Sequence, residues 1–98
     1  MIFHITHSHD ETTCPINDTP LFLSSFGSVV DSLKENGVTV IGAWIDGPGH
    51  QSFYVIDADS ADDIHNGLHP IIARGTATIQ PVADLQQRSQ EVALNQDN

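Results

Sequence analysis

The order of strand-like and helix-like segments most constrains the fold of this chain. Residues 1–9, 38–45, 51–58 and 76–83 are each short and rich in the apolar and β-branched side chains that strands prefer. One stretch with helical periodicity follows the first strand, and another follows the third. The sequence therefore predicts the order strand, helix, strand, strand, helix, strand, which is an α+β arrangement around an antiparallel sheet.

The first helical stretch has a start signal, an apolar stripe and a stop signal. Thr19 is suited to cap its N-terminus, and Pro20 suits the first helical position, where the missing N–H would be unpaired anyway. Asn36-Gly37 provides the end, because glycine adopts the left-handed conformation easily. We expect one continuous helix between these signals, with an apolar stripe made of Phe22, Phe26, Val29 and Leu33.

The second helical stretch begins after Ser60, a suitable N-cap with Asp63 three residues later. Pro70 would remove one backbone hydrogen bond, so this helix is expected to kink or end near His69. Its apolar stripe consists of Ile64, Leu68 and Ile71. The complete order is that of a ferredoxin-like fold, with a four-stranded antiparallel sheet and two helices on one face.

The two middle strands are joined by a turn at residues 46–49 and are predicted to form a hairpin. Simple alternation gives each face apolar side chains: Val38, Val40 and Trp44 on one, and Ile41, Ala43 and Ile45 on the other. Two helices cover only one face of such a sheet, so an apolar face would stay exposed. We expect this open face to pair with a second copy, giving a homodimer or an oligomer of dimers.

Length and charge limit the classes of partner. A chain of 98 residues fits one domain, expected over residues 1–84, and the polar residues 85–98 are expected to be a tail with a frayed helical turn and then disorder. The net charge of −10 disfavours nucleic-acid and membrane partners, since both are anionic. A single cysteine and a first segment without basic residues predict a cytoplasmic protein.

Several segments between residues 1 and 83 carry a family likeness. They are Met1-Ile2-Phe3-His4, Gly37 before the strand with Trp44-Ile45, Val55-Ile56-Asp57, Ser60 with His65 and Leu68, and Pro70-Ile71 before Ile79-Gln80-Pro81-Val82. Together they resemble the dimeric α/β-barrel superfamily, and within it the muconolactone isomerases. The resemblance implies a homodimeric barrel, a small-molecule cleft between sheet and helices, and cofactor-free proton chemistry on a lactone or carbonyl compound.

The resemblance also implies two catalytic candidates, because His4 and His65 stand at positions shared with that family. A neutral imidazole, whose ordinary pKa is about 6.5, can move a proton between adjacent carbons. We therefore expect an isomerase-type enzyme with these two histidines as acid–base residues. The alternative to catalysis is a structural role, in which both histidines are partly buried and have satisfied hydrogen bonds. The expected ligand-binding side chains are Phe3, Trp44, Ile64 and Leu68.

A second candidate site consists of His7, His9 and Cys14. Strand alternation places the two histidines on one face, about 6.5–7 Å apart, and the cysteine follows a loop able to fold back. Imidazole and thiolate suit zinc or copper, so the alternative function is transition-metal binding. His69, four residues after His65 on the predicted helix, is a further candidate ligand. The alternative for His7, His9 and Cys14 is a polar strand end with an ordinary buried cysteine, and the alternative for His65 and His69 is a helix surface with two histidines of no special role.

The turn from Asp46 to His50 is interpreted first as a hairpin connection. Asp46 or His50 would become a polar contact if the turn lies over the mouth of the cleft. Elsewhere the sequence has neither a glycine-rich phosphate loop nor a G-x-S-x-G nucleophile elbow. Nucleotide binding through such a loop and serine-hydrolase chemistry are therefore not expected.

Overall fold

The computed structural model describes residues 1–96 and contains one four-stranded sheet. Its strands are β1 (Ile2–Ser8), β2 (Thr39–Asp46), β3 (Gln51–Asp57) and β4 (Thr76–Val82). They lie in the order β2-β3-β1-β4, and each neighbouring pair is antiparallel. This topology confirms the predicted α+β, ferredoxin-like fold.

The core lies between one face of the sheet and the helices. The described helices are α1 (Thr19–Ser24), α2 (Val29–Glu35), α3 (Ala61–Gly67), α4 (His69–Ile72) and α5 (Leu85–Gln96). Strand residues Ile5, Tyr54 and Ile56 meet Val29, Leu33, Ile64, Leu68 and Ile71, and all eight are nearly inaccessible to solvent. Burying apolar side chains of this size contributes about 1.5–3 kcal/mol each.

The first helical stretch is two helices, so the prediction of one continuous helix was wrong. The chain breaks between α1 and α2, where Ser25 and Ser28 donate side-chain hydrogen bonds to the carbonyl oxygens of Leu21 and Leu23. Serine hydroxyls that bond to nearby carbonyls compete with regular helical hydrogen bonding. The predicted cap is also displaced by one residue, because Asp18 accepts from the N–H of Leu21 at 3.1 Å.

The second helical stretch follows its prediction closely. The hydroxyl of Ser60 accepts from the N–H of Asp63 at 3.2 Å, as an N-cap does. α3 ends at Gly67, and Pro70 lies in the first turn of the short helix α4. The predicted interruption near His69 is confirmed.

A β-bulge in β2 overturns the predicted face assignment of that strand. Val40 pairs with Ile56, but the next paired residue is Gly42, opposite Val55. Ile41 is therefore an extra residue in the strand. Beyond the bulge the alternation is reversed, so Trp44 lies on the open face of the sheet rather than on the face of Val40.

The C-terminal segment forms the 12-residue helix α5, so the expected frayed turn and disorder are wrong over residues 85–96. No residue of α5 is buried. Residues 97–98, which the tail prediction included, lie outside the described part of the chain. None of the five described helices combines the length and hydrophobicity that a bilayer crossing requires.

Candidate metal centre

The sheet register brings His9 and His50 together. Ser8 and Gln51 are the last residue pair of β1 and β3, so the residues just beyond them lie opposite each other. The main-chain N–H of His9 donates to the carbonyl oxygen of His50 at 3.0 Å, and the ring centroids are 5.0 Å apart. No ligand role was predicted for His50, because finding it requires the register of β1 against β3, which the sequence pattern does not give.

The turn before β3 presents the His50 ring. The N–H of Gly49 donates to Asp46 Oδ1 at 3.0 Å, and the N–H of His50 donates to the carbonyl of Gly47 at 3.1 Å. His50 itself has a φ of 54°, which is the left-handed region. Non-glycine residues seldom adopt this region, so the turn holds His50 in an uncommon conformation.

The loop after β1 folds back and delivers Cys14. The side chain of Asp10 accepts from the N–H of Thr12 at 2.9 Å, and the carbonyl of Asp10 accepts from the N–H of Thr13 at 3.2 Å. This is an Asx-type turn, which reverses the chain without regular secondary structure. Pro15 follows and is buried, which anchors the loop beside the thiol.

His9, Cys14 and His50 therefore form a compact group of three metal-ligating side chains. One ligand atom from each lies within 4.8 Å of the other two, and all three residues are half-buried. Both ring nitrogens of His9 and Nδ1 of His50 are buried and have no hydrogen-bond partner within residues 1–96. A buried polar atom without a partner costs about 1–3 kcal/mol, so this cluster needs a partner that the described chain does not supply.

Burial and charge together favour the form of His9 that binds metals. Burial lowers the pKa of His9, the neighbouring His50 lowers it further, and the carboxylate of Asp10 opposes both without reversing the shift. The ring is therefore neutral at physiological pH, which a ligating imidazole must be. Hydrogen bonds from Thr12 hold the pKa of Asp10 below its ordinary value, so a carboxylate next to His9 stays negative.

His7 lies beside this group, but one of its ring nitrogens already makes a hydrogen bond within the protein. It is 1% exposed, and its Nε2 is 2.9 Å from the carbonyl oxygen of Ile71, so this nitrogen carries the proton and donates. The ring centroids of His7 and His9 are 6.3 Å apart, which confirms that they share a face. Burial lowers the pKa of His7, and its hydrogen bond to Ile71 opposes that shift. His7 is not part of the three-residue group.

The two catalytic candidates, His4 and His65, lie on opposite sides of the sheet, so the structure does not bring them into one site. Strand alternation turns Ile5 and His7 toward the helices, and His4 therefore faces the open side opposite Val55 and Gln80. His65 instead lines a cleft of about 310 Å³ between the helices and β4.

The other predicted site residues have separate locations. Leu68 lines the cleft with His65, whereas Ile64 and Phe3 belong to or pack against the core. Trp44 is 58% exposed at the opposite edge of the sheet. His69 is exposed on α4 and lies outside the three-residue group, because α3 and α4 do not form the continuous helix that would align it with His65.

Comparison with known proteins gives a family without a described activity. A family model described as a domain of unknown function, DUF3303, matches residues 1–94. No curated protein matches the chain. Any functional assignment therefore has to come from the chemistry of the side chains themselves.

Proposed function

The chain belongs to the DUF3303 family, and we propose that it binds a transition-metal ion through His9, Cys14 and His50. One observation carries this proposal: three ligand atoms of the right chemistry converge within 4.8 Å. Among the described residues, both ring nitrogens of His9 and Nδ1 of His50 are buried without hydrogen-bond partners. Coordination to an ion would satisfy one nitrogen of each ring.

The donor set suits zinc or copper. Zinc–nitrogen bonds of about 2.0–2.1 Å and zinc–sulfur bonds of about 2.3 Å place tetrahedral ligand atoms roughly 3.5 Å apart. The observed group needs to contract by only about 1 Å to reach that spacing. All three residues lie in loops or turns rather than within regular elements, so such a contraction does not disturb the sheet.

The charge of the chain favours a cation at this position. The net charge is −10, and the carboxylate of Asp10 stands one residue from His9. A negative surface raises the local concentration of cations. With one thiolate and two neutral imidazoles, a divalent ion would keep a net charge of about +1 and one open coordination position, as catalytic zinc sites do.

Zinc titration of the metal-free full-length chain tests the proposal. We expect one zinc per chain, and we expect Cys14→Ser to weaken affinity by more than about 100-fold, since losing even an outer hydrogen-bond partner costs 10–100-fold. Saturation well below one zinc per chain, or an unchanged affinity in the variant, would contradict the assignment.

A second candidate function is a cofactor-free isomerase in the cleft of about 310 Å³ between the helices and β4. It is supported by the position of His65 and Leu68 on the cleft wall, together with buried His7. In this candidate, His65 removes a proton from carbon next to a lactone carbonyl and returns it to a neighbouring carbon. His4 has no role in it, because it faces the other side of the sheet.

Proton exchange in heavy water tests the second candidate. A small unsaturated lactone incubated with the protein would exchange a C–H for a C–D bond, detected by NMR. His65→Ala should abolish the exchange, and the exposed His69→Ala should not. Exchange that continues in His65→Ala would remove His65 from the mechanism.

Two further proposals concern assembly and location. A homodimer, or an oligomer of dimers, through the open sheet face is supported by apolar side chains on that face, such as Trp44, Phe53 and Val55. A cytoplasmic location is supported by the need of Cys14 to remain reduced as a ligand.

A further inference from the structure

We propose that the metal centre binds an uncharged small organic molecule, which has one oxygen or sulfur donor and an apolar body that lies in the groove beside the centre. This inference rests on the proposed metal-binding function, because the donor would occupy the open coordination position. The apolar body would determine which molecules bind tightly.

The groove begins at the metal centre itself. A cavity of about 60 Å³ is lined by His9 and Cys14, two of the three metal ligands. Its other walls are almost entirely apolar: Pro15, Ile16, Phe22, Phe26, Ile45 and Gly47. A ligand bound to the ion at this side would therefore leave water and enter an apolar environment.

A second cavity, of about 190 Å³, extends this space along the edge of the sheet. The two cavities share Phe22, Phe26 and Ile45 as lining residues, so they lie side by side, and together they extend from the metal centre toward Tyr54. An apolar cavity of about 150 Å³ is large enough for benzene. The groove therefore has room for a chain of several carbons.

The rim of the groove is exposed and apolar. Ile16 is 72% exposed, and Ile45 is 58% exposed. Grouped apolar side chains that border a concave site are typical of ligand-binding grooves rather than of ordinary protein surface. Their position next to three convergent metal-ligating groups identifies the ligand as one that combines a donor atom with an apolar body.

Charge excludes ionic ligands. No lysine or arginine lines either cavity of the described chain, and the protein has a net charge of −10. A ligand body with an anionic group away from the ion would be repelled by this field, and a cationic body would be repelled by the ion. Alcohols and thiols without a further ionic group, which present one donor atom and an alkyl or aromatic body, fit these conditions; a thiol would release its S–H proton to solvent and coordinate as the thiolate.

The cobalt(II)-substituted full-length protein provides the test, because the visible spectrum of bound cobalt changes when a new ligand coordinates. Straight-chain thiols from ethanethiol to hexanethiol are the probes. Each added methylene should raise affinity about fourfold until the groove is filled. The anionic 3-mercaptopropionate should bind more weakly than propanethiol.

Two matched variants on one strand locate the apolar body. Ile45 lines both cavities, whereas Ile41, at 56% exposure against 58%, lines neither. After correction for cobalt occupancy, Ile45→Thr should lower hexanethiol affinity on the order of fivefold, and Ile41→Thr should not change it. Equal losses in the two variants would contradict the proposed position of the alkyl chain.

The outcomes separate this inference from the function on which it rests. If cobalt binds but thiol affinity does not depend on chain length, the groove has no role and the metal site stands. If cobalt does not bind at all, both proposals fail. Affinity that rises with chain length in the wild type and in Ile41→Thr, and less in Ile45→Thr, supports both.

Discussion

The main-chain N–H of His9 donates to the carbonyl oxygen of His50 across 3.0 Å, although the two residues are 41 positions apart in the sequence. This hydrogen bond continues the pairing of β1 with β3 by one residue, past Ser8 and Gln51. Two imidazoles are thereby held at one end of the sheet, where the loop carrying Cys14 folds over them. The candidate metal centre is thus a consequence of strand register.

The first prediction distinguishes the observed ligand set from the one based on sequence spacing. His50→Asn removes an imidazole while keeping a residue type that tolerates the left-handed backbone at this position. Zinc affinity should fall by more than about 100-fold. His69→Ala is the control, and it should leave zinc affinity unchanged. Calorimetric zinc titration measures both, and the reverse order of effects would restore His69 as a ligand.

The second prediction uses Tyr54, the only tyrosine in the chain. Burial raises the pKa of its phenol above the ordinary value of about 10. Between pH 10 and the folded pKa, the unfolded chain loses this proton and the folded chain keeps it. The free energy of unfolding should therefore decrease as the pH rises above about 10. Tyrosinate absorbance in the native protein should begin to rise only above that pH.

Tyr54→Phe provides the control for the alkaline prediction. The variant loses the hydrogen bond to Ser52 Oγ, 2.9 Å long, and should be less stable at pH 7 by about 0.5–1.5 kcal/mol. Its unfolding free energy should depend less on pH above 10 than that of the wild type. Urea unfolding measures the free energy of unfolding at each pH. If this free energy depended equally on pH in the variant and the wild type, Tyr54 would not retain its proton in the folded state.

The third prediction concerns the C-terminal helix. No residue of α5 is buried, and Leu85 is 80% exposed. Deleting residues 85–98 should therefore leave the domain folded, with Tm lowered by less than about 4 °C, since changes outside buried features usually stay within 0.5 kcal/mol. Differential scanning calorimetry of the full-length and shortened chains measures the change in Tm. A fall of more than about 10 °C would show that the domain does not end near residue 84.

The fourth prediction tests the proposed dimer with Trp44, the only tryptophan. Association through the open face would bury its ring, which is 58% exposed in the single chain. Dilution should then shift fluorescence emission to longer wavelength in parallel with a fall in mass by light scattering. Thr6→Glu, on that face of β1, should favour the monomer, whereas Thr19→Glu on α1 should not. A monomer at all concentrations would contradict the proposal.

Much of the fold was predictable because it depends on local patterns. Turn residues at positions 46–49 marked the hairpin, and Ser60 marked a helix start that the structure confirms. The break between α1 and α2 depends on serine hydroxyls choosing particular carbonyls, which a periodic apolar stripe does not reveal. The bulge at Ile41 was not predictable either. A single extra residue leaves the strand-like sequence pattern intact, but it reverses which side chains of β2 face the helices.

The candidate site was only partly predictable for a related reason. His9 and Cys14 are close in sequence, so their spacing suggested a shared site, and the structure brings them together. His50 lies in the turn between β2 and β3, far from His9 in the sequence. Predicting it as a ligand requires knowing that β1 pairs with β3 and at which residue the pairing ends. His7 was included because it shares a face with His9, but its Nε2–H already donates a hydrogen bond to the carbonyl of Ile71 in α4.

Zinc K-edge X-ray absorption on the zinc-loaded, full-length protein tests the central claim most directly. We predict one zinc per chain with one sulfur at about 2.3 Å, two imidazole nitrogens at about 2.0–2.1 Å, and one further light atom. The sulfur contribution should disappear in Cys14→Ser. A wild-type spectrum with only nitrogen and oxygen ligands, or a protein that retains no zinc, would contradict a centre built from His9, Cys14 and His50.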